Sequence, residues 1–469
     1  MNRICKAIFA LLLSAAAPVA TTGQKHYVGG DISLLTKYEE KGANYLDVNG
    51  QKIPDMLAFL REQGLNTMRV RLFVDPSKAP DKEVQQGVCQ DLDFVTALGS
   101  RIKAAGLRFM LDFHYSDSWA DPSNQWTPDA WKTLGNDELY TKIYDYTLDC
   151  LQQMNAAGAS PDFIQIGNEI SYGLLWGPRN TRTYYCTQQS PASTWTRFTT
   201  LLSQAGKACR EACPNAKIII HSERVQRPDV MVDYFNRMDK AGVEYDIIGL
   251  SYYPFHHGYF DALNTAITRL ESSFPTRNVM LVETGYYHKW QPNDVSFDYS
   301  ATYPISHEGQ RKFAAALIDQ LKGHKNVNGL VWWWLEANEN GIDWQQAVTP
   351  SGWYNAGLFD NETGRALPAL YELKSLTDGD QEETVKGDVN GDGAVDVADI
   401  TAIIAVMAGY TEPQSNSAPN PQSGSALNPQ SGSAPNPQSG SAPNPADVNG
   451  DGTVDVADIT AVINIMANQ

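Results

Sequence analysis

The sequence predicts a (β/α)8 TIM barrel followed by a small all-α module, and three observations point to this architecture. Eight short apolar runs alternate with amphipathic stretches between residues 25 and 376, as strands and helices do in such a barrel. Polar and aromatic residues collect at the carboxyl ends of most of these runs, where this fold builds its active site. A short acidic pattern occurs twice after residue 386, each time before a short apolar stretch.

Hydrophobic periodicity assigns the elements in order. The predicted strands are Tyr27–Leu34, Thr67–Phe73, Arg108–Tyr115, Phe163–Ile170, Lys217–Glu223, Asp246–Pro254, Asn278–Tyr286 and Gly329–Ala337. The predicted helices include Lys52–Gln63, Asp91–Ala105, Tyr140–Ala157, Thr194–Ala212 and Glu308–Lys322, and glycine often follows a helix, as at Gly64 and Gly106. A doubly wound sheet is the alternative, but no Gly-x-Gly-x-x-Gly turn follows the first strand.

Composition limits the class of protein. With 54 acidic residues against 36 basic ones, the net charge is −18, so the surface repels phosphate backbones and nucleic acid is excluded as a partner. Residues 1–23 resemble an export signal, because Arg3 and Lys6 precede an apolar run too short to span a bilayer. We therefore expect a secreted or cell-surface protein with no membrane span. Cys5 lies within the export signal, and the five cysteines that follow it are expected to be buried thiols or to form one local bridge.

The two acidic repeats have the oxygen spacing of calcium-binding loops. Carboxylate or amide oxygens recur at positions 1, 3, 5, 9 and 12, glycine stands at position 6, and position 7 offers its carbonyl. The candidate ligands of the first loop are Asp388, Asn390, Asp392, Ala394, Asp396 and Asp399. Those of the second loop are Asp447, Asn449, Asp451, Thr453, Asp455 and Asp458. The sequence therefore predicts two structural Ca²⁺ sites and no cofactor for catalysis.

This tandem resembles a dockerin module, which implies a cohesin-type protein partner. The dockerin-like region is 387–469, and a polar linker at 378–386 separates it from the predicted barrel at 24–377. An octapeptide repeat rich in Pro, Ser, Gly and Asn interrupts the module at 413–445 and is expected to form a tether without a core. The short apolar stretch after each loop is predicted to form a helix, and neither helix can bury its apolar face alone. We therefore expect the two loop-helix halves of the module to pack together.

Two glutamates form the candidate catalytic pair. Glu169 ends the fourth predicted strand and Glu283 lies near the end of the seventh, so their side chains can converge across the barrel. Glycosidic bond cleavage requires one protonated and one ionised carboxyl group beside the same linkage. Their separation is about 5–5.5 Å in retaining enzymes and about 6.5–9.5 Å in inverting ones. Three other carboxylates, Glu223, Glu336 and Glu339, rank lower because their strands are not suitably paired.

The barrel region resembles glycoside hydrolase family 53, the arabinogalactan endo-β-1,4-galactanases. The resemblance is carried by motifs at Gly30–Ser33, Met68–Arg71, Leu111–Pro122, Gln165–Glu169, Ser251–Pro254 and Glu283–Tyr286. It implies that Glu169 is the general acid/base and Glu283 the nucleophile, and that the configuration is retained. The eighth strand departs from the family pattern, since Trp332-Trp-Trp-Leu-Glu-Ala-Asn replaces the usual Tyr-Trp-Glu-Pro.

Seven further residues are candidate substrate-binding or supporting groups. Arg71 is expected to keep Glu283 ionised by charge pairing, and Tyr253 to donate a hydrogen bond to the same carboxylate. Asn168 is expected to reach the sugar 2-hydroxyl. The remaining four are Asp112 and His114, as polar ligands, and Trp119 and Trp334, as flat apolar surfaces for a pyranose.

The leading interpretation is a secreted endo-β-1,4-galactanase that acts on the (arabino)galactan side chains of pectin. Another β-1,4-glycanase, such as a mannanase or cellulase, is the enzymatic alternative, because the catalytic carboxylates are shared among these enzymes. The third interpretation is a carbohydrate-binding barrel without activity, carried on a docking scaffold. The presence of both Glu169 and Glu283 argues against it.

Overall fold

The computed structural model describes most of the chain. The described residues are 25–293, 295–343, 347–348, 354–378, 380, 387, 389, 395, 397–407 and 446–467. The predicted export signal at 1–23 and the repeat tether at 413–445 lie outside them, as does most of the predicted linker. The chain divides into two compact units, with the boundary between Asp380 and Gln381.

The first unit contains a closed barrel of eight parallel strands in sequential order. The strands are β1 (Tyr27–Asp31), β2 (Thr67–Leu72), β3 (Arg108–Phe113), β4 (Phe163–Ile166), β5 (Lys217–Ser222), β6 (Ile247–Tyr252), β7 (Asn278–Thr284) and β8 (Val327–Trp332). Pairing of β1 with β8, which joins Tyr27 to Gly329, closes the ring. This closure confirms the predicted barrel and excludes the doubly wound sheet.

Helices connect and cover the strands. They are α1 (Leu35–Glu40), α2 (Met56–Glu62), α3 (Asp81–Val84), α4 (Leu92–Ala104), α5 (Asn136–Ala156), α6 (Ala192–Ala212), α7 (Pro228–Lys240), α8 (Pro254–His257), α9 (Phe260–Ser273), α10 (His307–Lys322) and α11 (Pro368–Glu372). Local chemistry starts several of them. The Asp91 side chain accepts from the Phe94 amide at the start of α4, a cap that contributes about 1 kcal/mol. Val95, Leu98 and Ile102 then bury one face of the same helix.

Alternation along the strands divides the barrel interior into an apolar and a polar layer. Met110, Phe163 and Ile219 belong to a buried apolar cluster that also contains Ile247, Met280, Val282 and Val331. Two residues further along the same strands stand the buried side chains of Asp112, Gln165 and His221. Because side chains alternate with a period of two, these polar groups share the inward face and lie one layer nearer the carboxyl ends. The polar layer is the base on which the site is built.

The two ends of the first unit are joined. The backbone amide of His26 donates to Asp380 Oδ2 at 2.7 Å, and the His26 ring nitrogen Nδ1 lies 2.6 Å from Asp380 Oδ1. His26 immediately precedes β1, so the contact lies at the amino-terminal ends of the strands. The five described cysteines are all free thiols, four of them buried. In the described part of the chain, no helix is long and apolar enough to cross a membrane.

The second unit has two described helices, α12 (Val397–Met407) and α13 (Val456–Met466). Ile403 of α12 and Val462 of α13 are fully buried in one small apolar cluster with Val395, Ala446 and Val448. The two halves therefore pack together, as the sequence predicts, and the small all-α module is confirmed.

Candidate active site

A cavity of about 780 Å³ opens at the carboxyl ends of the barrel strands. Glu169, which follows β4, and Glu283, which belongs to β7, both line it. Other lining residues are His114, Trp119, Asn168, Glu223, Tyr253, His257, Trp333 and Tyr354. The barrel thus brings together two glutamates that are more than a hundred positions apart in the sequence.

Glu169 is held in an unusual backbone conformation. The chain leaves β4 through Gly167 at φ +108°, and Glu169 itself has φ +46°, in the left-handed region that side chains other than glycine rarely adopt. A Cβ on Gly167 would lie 2.6 Å from Ile170 Cγ2, so this turn requires glycine. The strain places the Glu169 side chain on the cavity, a conformation typical of functional residues.

The surroundings of Glu169 favour its protonated form. Burial raises the pKa of this carboxyl well above its ordinary value, and the nearby carboxylates of Glu283 and Glu223 raise it further. One hydrogen bond opposes this effect, because the Ser251 hydroxyl donates to Glu169 Oε1 at 2.6 Å. A protonated carboxyl group in this place can act as an acid.

The surroundings of Glu283 supply what an anion requires. Arg69 donates to its Oε1 at 2.9 Å, and Tyr253 donates to its Oε2 at 3.0 Å. Burial raises the pKa of Glu283 to about 7, while Arg69 and the Tyr253 hydrogen bond act in the opposite direction. With a cation and a hydroxyl donor, Glu283 is the carboxyl group of the pair that more readily ionises. The Tyr253 contact agrees with the sequence prediction.

The cation beside Glu283 is Arg69, and the predicted pairing of Arg71 with Glu283 is wrong. Arg69 also donates to Asp31, Asp112 and Asn168 at 2.7–2.9 Å. Arg71 instead lies 3.2 Å from Asp31, and its guanidinium covers the rings of Trp119 and Trp334 at 4.5 and 5.3 Å. Both arginines face inward from β2, and Arg69 occupies the deeper layer, where all four of its partners converge.

Asp112 of β3 and His114, which follows this strand, are both engaged by other groups of the protein. Asp112 is fully buried between Arg69 and the ring of His114, whose Nε2 lies 3.1 Å away, and it is not among the cavity-lining residues. His114 lines the cavity, but its Nδ1 accepts from the Ala120 amide at 3.0 Å, so both ring nitrogens are engaged. Asp112 therefore supports the site from beneath, and direct contact between Asp112 and a ligand is not consistent with its burial.

Asn168 precedes Glu169 in the chain and shares the Arg69 guanidinium with Glu283. Its Oδ1 accepts from Arg69 at 2.9 Å, and its Nδ2 donates to the Ala120 carbonyl at 2.8 Å. It lines the cavity, as a residue that contacts a sugar hydroxyl must. The predicted contact of Asn168 with the 2-hydroxyl stays a prediction.

The predicted tryptophan surface is only half right. Trp119 lines the cavity, but Trp334 is fully buried and stacks on Tyr354 with ring centroids 5.1 Å apart. Trp333 takes the place expected for Trp334, and its ring lies 6.3 Å from those of Trp119 and Tyr253. The strand β8 ends at Trp332 and Trp334 has φ +53°, so strand alternation no longer assigns directions there.

The rival carboxylates have separate environments. Glu223 lines the same cavity, and burial raises its pKa, so of the three it is the one nearest the pair. Glu336 is fully buried and accepts from the Leu34 amide at 2.7 Å. Glu339 accepts from the Val348 amide at 3.1 Å. Neither Glu336 nor Glu339 is among the residues that line the cavity.

Sequence reasoning missed several residues of the site, four of which matter most for the glutamates and the aromatic surface. These are Arg69, His221, Ser251 and Trp333, which contact one of the two glutamates or line the cavity. Arg69 and Ser251 lie within quoted motifs, and His221 follows the inward alternation of β5. Inward parity on β2, β5 and β6 was the signal that could have found Arg69, His221 and Ser251, whereas Trp333 follows the end of β8 and had no such signal.

The candidate calcium loops are described in part. Asp388, Asn390, Asp392, Ala394 and Asp396 of the first loop lie outside the described residues. Asp399 is buried, and its Oδ1 accepts from the Val389 amide at 2.7 Å. In the second loop, Asp447 accepts from the amides of Gly450, Asp451 and Gly452 at 2.8–3.1 Å. No group of three His, Cys, Asp or Glu side chains suited to a metal occurs within the described ranges.

Asp458, the last ligand candidate of the second loop, is hydrogen-bonded to the backbone of that loop. Asp458 is fully buried, and it accepts from the amides of Asn449 and Asp455 at 3.0 and 2.9 Å. All six candidate ligands of this loop, which are Asp447, Asn449, Asp451, Thr453, Asp455 and Asp458, offer hard oxygen atoms. That donor set suits Ca²⁺.

Comparisons with known proteins agree with the site. Residues 27–373 match glycosyl hydrolase family 53, and residues 386–467 match the dockerin type I domain. An arabinogalactan endo-β-1,4-galactanase A from Aspergillus niger is 31% identical over 337 residues, which cover 70% of this chain and 89% of the relative. An arabinogalactan endo-β-1,4-galactanase from Cellvibrio japonicus is 30% identical over 393 residues, which cover 80% of this chain and 98% of the relative.

Solved structures agree as well. The GH53 catalytic domain of Ignisphaera aggregans superposes with a TM-score of 0.65 at 31% identity, covering 77% of this chain and 98% of that one. The barrel, its two cavity glutamates and these matches lead to one conclusion: the chain belongs to glycosyl hydrolase family 53, is therefore a glycoside hydrolase, and carries a dockerin type I domain after its barrel.

Proposed function

We propose that this chain is a secreted, retaining endo-β-1,4-galactanase that cleaves β-1,4-galactosidic bonds in the (arabino)galactan side chains of pectin. The observation that carries the proposal is the presence of Glu169 and Glu283 on one cavity in unlike surroundings. The activities named for the Aspergillus niger and Cellvibrio japonicus relatives support galactan as the substrate.

The mechanism follows from the two environments. Glu169, which carries a proton, donates it to the glycosidic oxygen as the bond to the leaving sugar breaks. Glu283, ionised beside Arg69 and Tyr253, attacks the anomeric carbon and forms a covalent galactosyl ester. Glu169, now a carboxylate, then takes a proton from water, and that water hydrolyses the ester. Two inversions at the same carbon retain the configuration.

Neighbouring side chains support the charge changes of this reaction. Tyr253 and Arg69 bind the carboxylate of Glu283 before it attacks, so the anion needs little reorganisation. Trp119 and Trp333 present aromatic surface to the cavity, which suits the apolar face of a galactose ring. The position of Asn168 on the same cavity as both glutamates supports its proposed contact with the sugar 2-hydroxyl.

The dockerin domain is proposed to bind two Ca²⁺ ions and a cohesin-type protein. Dockerin type I domains bind calcium, and the hard oxygen atoms of the second loop suit that ion. The first loop repeats the same ligand types at the same spacing. Calcium would there stabilise the loops, and no step of the hydrolysis requires it.

The substrate proposal is tested by digestion of three polysaccharides. The full chain is incubated separately with potato galactan, mannan and carboxymethylcellulose, and the release of reducing ends is measured. We expect hydrolysis of galactan and at most traces with the other two. Hydrolysis of mannan or cellulose with intact galactan would establish the alternative glycanase, and no hydrolysis of any of them would contradict the proposed activity.

The catalytic roles are tested in the same assay. Glu169→Gln and Glu283→Gln should each lower kcat on galactan by about 1,000-fold or more, because each removes a carboxyl group required in the transition state. Glu362→Gln, at an exposed position paired with Lys289, is the matched control and should retain full activity. Proton NMR of the first anomer released distinguishes retention from inversion.

A further inference from the structure

Three hydrogen-bonding groups form a chain from the barrel interior to Glu169. His221 Nε2 lies 2.8 Å from Ser251 Oγ, and Ser251 Oγ lies 2.6 Å from Glu169 Oε1. His221 on β5 and Ser251 on β6 are both fully buried, so water does not compete for either contact. We call this chain, composed of His221, Ser251 and Glu169, the relay.

A backbone amide determines the direction of the hydrogen bonds in the relay. The Glu169 N–H donates to His221 Nδ1 at 3.2 Å, and the Gln165 side-chain amide also faces that nitrogen at 3.1 Å. Asn168 Oδ1 also lies 3.1 Å from Nδ1, but it already accepts from Arg69 and from the Gln165 side-chain amide. Since a backbone N–H cannot accept and two N–H donors face Nδ1, we assign the lone pair to this nitrogen. The ring proton of a neutral imidazole is then on Nε2 and is donated to Ser251. The Ser251 hydroxyl proton in turn is donated to Glu169 Oε1.

The charges around the relay keep it in this state. His221 is faced by Arg69, Asp112, His114 and His257 from the surrounding strands and loops. Burial, reinforced by the Arg69 cation, lowers the pKa of His221 well below its usual range, so its ring is neutral. Glu169 is faced by the carboxyl groups of Glu283, Glu223 and Asp121. These neighbours favour a proton on Glu169 but do not decide which of its oxygens carries it.

We propose that His221 and Ser251 are positioning residues that hold the acidic proton of Glu169 on Oε2. Since Oε1 always accepts from Ser251, the proton occupies the other oxygen, which remains available to the leaving group in the cavity. After the proton has been transferred, the same hydrogen bond stabilises the Glu169 carboxylate. The inference rests on the proposed role of Glu169 as the acid and adds how its proton is oriented.

The test uses Ser251→Ala in the full chain and a series of aryl β-1,4-galactobiosides. With phenol as the leaving group, kcat/KM should fall about tenfold or more, because cleavage depends on a correctly oriented proton. With 2,4-dinitrophenol, which needs little protonation, kcat/KM should stay within about twofold. In the wild type the Ser251 hydrogen bond lowers the pKa of Glu169. Its removal should raise this pKa, so the basic limb of the pH profile should move upward by about one pH unit.

The matched control is Ser222→Ala, which removes another buried serine hydroxyl whose partners are Ser171 Oγ at 2.9 Å and the Arg224 amide at 3.3 Å. Its basic limb and its dependence on the leaving group should equal those of the wild type. Ser251→Cys, with a similar size and a weaker donor, should lie between the wild type and Ser251→Ala. Activity on the dinitrophenyl substrate reports that each variant is folded, and Ser251→Cys decides the question if Ser251→Ala does not fold.

Two results would overturn the relay. One is a wild-type basic limb together with a wild-type leaving-group dependence in Ser251→Ala. The other is an equal loss of kcat/KM on every leaving group, which would mean a general structural role. Failure of the proposed function is separately visible, since Glu169→Gln would then hydrolyse the phenyl substrate as fast as the wild type.

Discussion

Arg69 and Arg71 stand two positions apart on the inward face of β2 and have different partners. Arg69 binds Glu283, and Arg71 lies against Trp119 and Asp31. The alternation of side chains along a strand places both arginines inside the barrel, but it does not show which of the two contacts Glu283 on β7. That depends on the stagger of the strands and on a bulge where β6 pairs with β7 near Ser251. The family motif contains both arginines and does not separate them either.

Arg69→Lys should lower kcat/KM on galactan by about 100-fold or more. The variant loses the guanidinium that binds four buried groups, and breaking such contacts costs about 3–5 kcal/mol. Arg69 lowers the pKa of Glu283; lysine keeps a charge but offers one ammonium group to four buried acceptors, so the contact with Glu283 weakens, the pKa of Glu283 rises and this carboxyl group ionises at higher pH. The acidic limb of the pH profile should therefore move upward. The profile of kcat/KM against pH measures both effects.

Arg71→Lys is the comparison for that experiment. Arg71 contacts Asp31 and not Glu283, so the acidic limb should stay where it is in the wild type. A shift of the acidic limb in Arg71→Lys that equals the shift in Arg69→Lys would contradict the assignment of Arg69 as the partner of Glu283.

At the scale of elements, the sequence predicts the strands well and their ends poorly. All eight predicted runs contain the observed strands or most of them, because buried parallel strands are nearly continuous apolar runs. The fourth was predicted to reach Ile170, yet β4 ends at Ile166 and the left-handed residues Gly167 and Glu169 follow. A turn that depends on strain at an active site is not visible in local propensity. The same reason explains why Trp333, and not the predicted Trp334, lines the cavity, since Trp334 also has a left-handed backbone conformation.

The segment after β8 buries a carboxyl group, and this predicts a pH-dependent stability. Burial foremost, and Asp31 next, raises the pKa of Glu336 to about 8. An unfolded glutamate ionises near about pH 4.3, so between that pH and about 8 the folded state holds a proton that the unfolded state releases. The free energy of unfolding consequently falls as the pH rises through this window. Below it, both states are protonated and the effect disappears.

Glu336→Gln should remove this dependence. Glutamine keeps an acceptor for the Leu34 amide and cannot ionise. Its unfolding temperature, measured by calorimetry, should exceed that of the wild type by a few degrees at pH 8 and match it at pH 4. The exposed control Glu362→Gln should show no such crossover. Equal unfolding temperatures of wild type and Glu336→Gln at both pH values would show that Glu336 is not a buried, protonated group.

For the whole molecule, we expect the unfolding temperatures of the two units to respond differently to calcium. The second loop concentrates the carboxylates of Asp447, Asp451, Asp455 and Asp458 within twelve residues, and a bound cation would stabilise the loop by neutralising their repulsion. Calorimetry of the full chain should show one transition that rises with Ca²⁺ and falls with a chelator, and a second, from the barrel, that is insensitive to both. Hydrolysis of galactan should not change.

Substitutions in the loops complete that test. Asp388→Ala and Asp447→Ala remove the first ligand candidate of the first and the second loop, and each should reduce the calcium bound per chain by one ion. Calcium binding that is unaffected by either substitution would contradict the two predicted sites. The duplicated ligand spacing alone predicts this behaviour, because the ligands are close together in the sequence. Prediction of the candidate catalytic pair required the barrel topology as well.

The contact between His26 and Asp380 has a practical consequence. It holds the first and last described segments of the barrel unit together at the amino-terminal ends of the strands, whereas the cavity opens at their carboxyl ends. Cargo proteins fused ahead of His26 or in place of the residues after Asp380 are therefore attached on the far side from the incoming polysaccharide.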